Sequence, residues 1–195
     1  MKIKKILILS LFVIPLGASY HSNKTYHAKF YDYYERLAKT RDFGGWSIAK
    51  ELFDHIKELL PKGSTLLEFG SGWASGEFSK HYTVYSVEHD PFFLNQYNTN
   101  YIYAPIKDSW YDPNILAEDL PKDYDLILVD GPVGNIGRYG FYVYFDLFRK
   151  DVPIIIDDVN RPEEYRLMMD LVDMLGRSYE IYTVNTKQYG IIFSH

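Results

Sequence analysis

The feature of this sequence that most constrains its fold is a regular alternation of short apolar runs with longer segments that suit helices. Five runs of four or five residues fit buried strands, and they lie at 65–69, 84–87, 101–104, 125–129 and 152–156. Helical connections join strands that run parallel, because a parallel pair needs a long crossover. We therefore predict an α/β fold built on a doubly wound, mostly parallel sheet with helices on both faces.

The end of the chain adds a helix and a hairpin to this pattern. A helix is predicted over 161–175, with Pro162 at its start and Gly176 after its end. Strands are predicted over 179–184 and 189–193, with a short connection between them. Strands joined by a hairpin pair antiparallel, so the predicted sheet has seven strands and an antiparallel C-terminal hairpin strand.

Composition and charge limit the classes of function. The 195 residues are 47% hydrophobic and 24% charged, which is typical of one globular domain. The formal net charge of −5 argues against a non-specific nucleic-acid binder, so we expect no nucleic-acid partner. The chain has no Cys, which excludes disulfides and thiolate metal sites. The predicted division is an N-terminal helical cap segment at 21–63 and a catalytic domain at 64–195. Within the cap segment, apolar residues spaced by three and four predict a helix over 42–60.

The first twenty residues have the three-part pattern of a targeting segment. Three lysines precede an apolar run at 6–18, and small residues follow it. A spanning helix needs about 20 residues, so this run of 13 fits a signal peptide better. We predict a signal peptide or an N-terminal anchor at 1–20, which implies secretion or membrane association. A buried strand or helix in a cytoplasmic protein is the alternative.

A glycine-containing loop follows the first predicted strand. Gly70 and Gly72 allow a sharp turn and a close approach of the backbone to a ligand. Amide groups at the start of the next helix can face an electronegative ligand group. A dinucleotide site would have a third glycine at the position of Ser75. The loop therefore favours a nucleotide-like cofactor other than a dinucleotide.

Two carboxylates accompany this loop. Glu68 lies two residues before the first glycine, where it suits a cofactor with a free ammonium group. Glu88 ends the second strand at the same edge of the sheet, where it can accept hydrogen bonds from two ribose hydroxyls. The structural alternative is that both are solvated charges at strand ends.

Four sequence blocks resemble one family. LLEFGSGWAS resembles motif I of class I, Rossmann-like S-adenosylmethionine-dependent methyltransferases, and YSVEHD resembles their acidic second-strand motif. With DLILVDGP and IIIDDVNR, these blocks are similar to a group of bacterial methyltransferase-like proteins, over about 42–195. The resemblance implies S-adenosylmethionine as cofactor, with Asp108 after the third strand at the adenine amino group. It implies further cofactor contacts at Glu68, Gly70, Ser71, Gly72, Ser75, Glu88 and His89.

A second acidic cluster is predicted where the fourth and fifth strands end. Asp130 ends the fourth strand, and Asp157 and Asp158 end the fifth. Converging carboxylates repel one another unless a proton or a cation intervenes. Three interpretations stay open: Asp130 acts as a general base, the three carboxylates bind Mg²⁺ or another divalent cation, or the cluster only caps a helix, with Asn160 at the cap position. Arg161 pairs with an acid in the last case, or holds an acidic substrate group.

The expected function is methyl transfer to a hydroxyl of a small molecule or sugar, so a small-molecule or glycan acceptor is the expected partner. The glycine-rich stretch 131–140 is predicted to be a mobile loop over the substrate side. A nicotinamide-dependent oxidoreductase is the alternative, against which Glu68 and Ser75 argue, and a non-catalytic cofactor-binding module is another. S-adenosylmethionine is made in the cytosol, so an exported enzyme would lack its cofactor.

Overall fold

The computed structural model describes residues 42–44 and 47–194. The predicted targeting segment at 1–20, and most of the predicted cap segment, lie outside the described residues. Within the described part of the chain, no helix combines the length and the apolar character that crossing a bilayer requires.

Helices and strands alternate along the described chain. The helices are α1 Lys50–Leu59, α2 Trp73–Phe78, α3 Pro113–Asp119, α4 Gly140–Val143 and α5 Pro162–Leu175. The strands are β1 Thr65–Phe69, β2 Thr83–Glu88, β3 Asn100–Tyr103, β4 Ile106–Lys107, β5 Trp110–Tyr111, β6 Leu126–Val129, β7 Ile154–Ile156, β8 Tyr179–Val184 and β9 Lys187–Ile192.

Seven of these strands form one sheet, in the order β3-β2-β1-β6-β7-β9-β8. The pairs from β3 to β7 are parallel, and β9 runs antiparallel to both β7 and β8. The predicted α/β fold, with its antiparallel C-terminal hairpin, is confirmed. The chain passes from β1 outward to β3 and then returns to β6 on the other side of β1. The carboxyl ends of β1 and β6 therefore flank the switch point at which open α/β sheets bind ligands.

Each face of the sheet is covered by its own helices, because successive side chains of a strand point to opposite faces. Leu67 and Phe69 of β1 belong to the core that also contains the apolar side chains of α3, α4 and α5. Leu66 belongs to the opposite core, with the apolar side chains of α1 and α2. Glu68 shares the face of Leu66, so its carboxylate points toward α2 rather than toward α5.

Several elements differ from the predictions. The helix predicted from residue 42 begins only at Lys50, after Gly44 with its φ of +85°. Asp90 followed by Pro91 is typical of the start of a helix, but here Asp90 caps only the single 3₁₀ turn Pro91–Phe93. The predicted helix cap Asn160 is wrong, because the cap position is Arg161 and the Asn160 side chain accepts a hydrogen bond from the Gln188 amide instead.

Candidate functional site

The glycine loop between β1 and α2 is packed tightly on one side and open on the other. Gly70 has a φ of +90°, and a Cβ added there would lie 3.0 Å from the amide nitrogen of Gly131, in the loop after β6. A Cβ added at Gly72 would meet no atom within 4 Å. The backbone at Gly72 therefore faces free space at the switch point, where a ligand can approach it closely.

Glu68 is a buried carboxyl beneath this loop. Its side chain is 2% exposed, and its Oε1 accepts a hydrogen bond of 2.5 Å from the Ser86 hydroxyl on β2. Burial raises the pKa of Glu68 from 4.5 to about 7, although hydrogen bonds from Ser75 and Ser86 lower it. A buried carboxyl of this kind is stabilised in its charged form by a positively charged partner. An ammonium group is therefore a chemically suitable ligand for Glu68.

Glu88 at the end of β2 holds the glycine loop in place. Its Oε2 accepts a hydrogen bond from the Ser71 amide at 2.9 Å. Its Oε1 accepts from the amides of His89 and Asp90, at 2.7 and 2.8 Å. A carboxylate has about four acceptor positions, so about one remains on Oε2. The predicted contact of Glu88 with two ribose hydroxyls stays a prediction, and by this count one acceptor position is left for it.

Ser75 takes the place that a dinucleotide loop gives to a third glycine. Its hydroxyl accepts a hydrogen bond from the Gly72 amide at 3.0 Å, and it also hydrogen-bonds Glu68. The side chain is 1% exposed. Ser75 thus joins the glycine loop to the buried carboxyl, which a glycine could not do.

Asp108 lies in the small hairpin that follows β3. It occupies the turn between β4 and β5, with a φ of +52°. It lines a cavity of about 410 Å³ together with residues of the 131–140 loop and α5, among them Tyr139, Glu163 and Arg166. No residue of the glycine loop lines this cavity. Asp108 therefore does not meet the glycine loop in this cavity, and its contact with adenine stays a prediction.

The predicted acidic cluster does form at the ends of β6 and β7. Carboxylate oxygens of Asp130, Asp157 and Asp158 lie within 4.8 Å of one another. Burial raises the pKa of Asp130 well above 3.8, Asp157 raises it further, and Arg138 lowers it. Burial also raises the pKa of Asp157, and Asp158 adds to that effect. The two carboxylate oxygens of Asp157 have no hydrogen-bond partner among the described residues.

Sequence analysis missed Arg138, which lies inside this cluster. Its Nη2 is 3.3 Å from Asp130 Oδ1 and 3.0 Å from Asp158 Oδ2. Its Nη1 donates to the backbone oxygen of Asp157 at 2.8 Å, and its Nε donates to that of Pro132 at 3.4 Å. The side chain is only 3% exposed. The signal was available, since three converging carboxylates need a cation and a basic residue follows Asp130 in the next loop.

Arg161 also contacts the cluster, from the start of α5. Its Nη2 lies 3.0 Å from Asp158 Oδ2, so Asp158 pairs with two arginines. The Arg161 side chain is 44% exposed. The predicted pairing of Arg161 with an acid is therefore present. Arg138 anchors the 131–140 loop to the strand ends, whereas the prediction described this loop only as mobile.

Comparisons with known proteins show the fold. No protein-family model and no curated protein sequence matches this chain. The SAH-bound methyltransferase PaMTH1 from Podospora anserina matches with a TM-score of 0.54 at 13% identity, over 94% of this chain and 99% of that one. A candidate caffeoyl-CoA O-methyltransferase from Staphylococcus aureus matches with a TM-score of 0.52 at 15% identity, over 89% and 100%.

A third structure with this fold contains a metal. It is the methyltransferase MycE in complex with Mg, SAH and mycinamycin VI, which matches with a TM-score of 0.51 at 16% identity. The match covers 78% of this chain and 51% of MycE. At such low identities the likeness establishes the Rossmann-like methyltransferase fold and leaves substrate and metal open.

Proposed function

We propose that this chain is an S-adenosylmethionine-dependent methyltransferase that acts on a hydroxyl of a small molecule or sugar. The observation that carries the proposal is the buried carboxyl of Glu68 beneath a glycine loop that opens to free space at Gly72. This pair lies at the switch point of a sheet whose fold is shared with SAH-bound proteins.

The residues around the loop fit this cofactor. Glu68 would receive the ammonium group, and the remaining acceptor position of Glu88 would receive one ribose hydroxyl. The open side of Gly72 would allow the cofactor to lie against the backbone. When bound, S-adenosylmethionine supplies a methyl group on a positively charged sulfur. The task of the chain is then to bind and orient both reactants and to accept the proton of the acceptor hydroxyl.

Asp130 is the carboxylate best placed to accept that proton. Its side chain is 24% exposed, whereas those of Asp157 and Asp158 are almost completely buried. Because burial raises the pKa of Asp130, its carboxylate is a stronger base than an ordinary aspartate. A hydroxyl becomes a better nucleophile as it loses its proton, so a carboxylate at this position would assist methyl transfer.

The cavity beside the 131–140 loop is the proposed site for a part of the acceptor remote from the methylated hydroxyl, since neither Asp130 nor the glycine loop lines it. Tyr139 and Tyr144 contribute aromatic rings, and Glu163 and Arg166 contribute charged groups. Aromatic faces pack well on sugar rings and on other aromatic compounds. Its volume of about 410 Å³ falls in the range of small-molecule sites.

The direct test is calorimetric titration of the full chain with S-adenosylmethionine and, separately, with NAD⁺. We expect S-adenosylmethionine to bind and Glu68→Gln to lose most of that binding, because the amide has no negative charge for the ammonium group. Glu118→Gln, which changes an exposed carboxylate on α3, is the matched control and should bind normally. Binding of NAD⁺ alone, or of neither ligand, would contradict the proposal.

A further inference from the structure

Arg138 lies between two of the three carboxylates of the acidic cluster. One nitrogen, Nη2, lies within 3.3 Å of an oxygen of Asp130 and within 3.0 Å of an oxygen of Asp158. These two oxygens belong to the three carboxylates that the sequence predicts as metal ligands. The same oxygens cannot also surround a metal ion at about 2.1 Å while Nη2 remains between them, because the two positive charges would repel.

Two basic side chains of the chain itself contact the cluster. Arg138 is buried between Asp130 and Asp158, and Arg161 pairs with Asp158 at 3.0 Å. The two guanidinium groups therefore place positive charge at two of the three carboxylates without a metal ion. The carboxylate of Asp157 has no such partner among the described residues.

Arg138 also donates hydrogen bonds to backbone oxygens, which a metal ion cannot do. Its Nη1 and Nε donate to the backbone oxygens of Asp157 and Pro132, so the guanidinium links the end of β7 to the loop after β6. At Gly134 of the same loop, an added Cβ would lie 2.6 Å from Arg161 Nη1. The loop is thus held over the strand ends by one arginine and lies against a second.

We propose that the guanidinium of Arg138 replaces a divalent cation in the cluster of Asp130, Asp157 and Asp158, and that the site works without a metal. Arg138 is then a positioning residue, which fixes Asp130 and the 131–140 loop. The catalytic meaning of this inference rests on the proposed function. The expected absence of metal binding does not rest on the proposed function, because it can be measured without any cofactor or acceptor.

The test is a titration of the full chain with Mn²⁺, followed by the electron paramagnetic resonance signal of free Mn²⁺. We expect the unaltered chain to leave that signal unchanged. Arg138→Gln removes a unit positive charge beside the carboxylate oxygens and should bind Mn²⁺ at least about tenfold more tightly. The double variant Arg138→Gln with Asp157→Asn is the control and should lose the gained binding.

Two results would overturn the inference. One is tight Mn²⁺ binding by the unaltered chain that Asp157→Asn abolishes. The other is a folded Arg138→Gln variant that binds Mn²⁺ no better than the unaltered chain. If Arg138→Gln does not fold, Arg138→Lys is tested in its place, because it keeps the positive charge. Tight Mn²⁺ binding by Arg138→Lys would also overturn the inference, provided that adding Asp157→Asn abolishes that binding. Failure of S-adenosylmethionine to bind would contradict the proposed function and leave the Mn²⁺ result intact.

Discussion

Substitution of Glu68 by Gln should change how the stability of the protein depends on pH. The pKa of Glu68 is raised from 4.5 to about 7, chiefly by burial. The folded protein therefore binds the proton more tightly than the unfolded chain does. The difference between these two values corresponds to about 3 kcal/mol in the free energy of unfolding. The side chain is 2% exposed, so this figure needs little correction for solvent screening.

The sign follows from the direction of the shift. A carboxyl whose pKa is raised by folding contributes its full stabilisation at pH values below the unfolded-state pKa, which is 4.5 for Glu68. This contribution is lost as the pH rises through the folded pKa of about 7, because the carboxylate must then ionise in a buried place. Glu68→Gln has no proton to lose. Relative to the unaltered chain, the variant should gain about 3 kcal/mol between about pH 4 and about pH 8.

The assay is urea unfolding of both proteins at several pH values across this window, without cofactor. The quantity compared is how the difference in the free energy of unfolding between the two proteins changes with pH. The amide also alters the hydrogen bond with Ser86, but that effect does not depend on pH and cancels in this comparison. Glu118→Gln, at an exposed position, should show no such change. Parallel stability curves for Glu68→Gln and the unaltered chain would refute the raised pKa and the role assigned to this carboxyl.

Other predictions concern the same site. Binding of S-adenosylmethionine should strengthen by roughly tenfold from about pH 6 to about pH 7.5, as Glu68 ionises, and weaken above about pH 8 as the ligand amine loses its proton; a calorimetric pH series checks this. Gly131→Ala should destabilise the fold by about 2 kcal/mol in a thermal melt, because the added Cβ would lie 2.8 Å from the backbone of Gly70. Gly72→Ala should melt normally and bind the cofactor more weakly, since its Cβ enters open space; equal melting temperatures for the two alanine variants would contradict the close packing. Asp130→Asn should bind the cofactor normally and lose about a hundredfold or more in methyl-transfer rate, and an unchanged rate would exclude it as the base.

Much of the fold was predictable because its signals are local. The bounds of β1 and β8 match the predicted strands residue for residue, since strong apolar or alternating patterns end at clear turn signals. The helix after β7 was predicted to within one residue, because Pro162 and Gly176 mark its ends. The segment after β3 was expected to be helical, and it does contain α3, but the small β4–β5 hairpin before that helix was not predicted. Trp110 in that hairpin is completely buried against Phe69, with ring centroids 5.4 Å apart, and such a distant contact leaves no periodic pattern.

The sequence by itself determined the order of strands and helices, the antiparallel hairpin and the convergence of carboxylates at two places on one sheet edge. These follow from apolar periodicity and from the rule that parallel strands end at the same edge. Only the tertiary structure decided which charges meet. Arg138 pairs with Asp130 and with Asp158, which is 20 residues away in the chain. The physical reason is that a buried guanidinium must be paired with several hydrogen-bond acceptors. Those acceptors come together only after the loop and both strands have packed against one another.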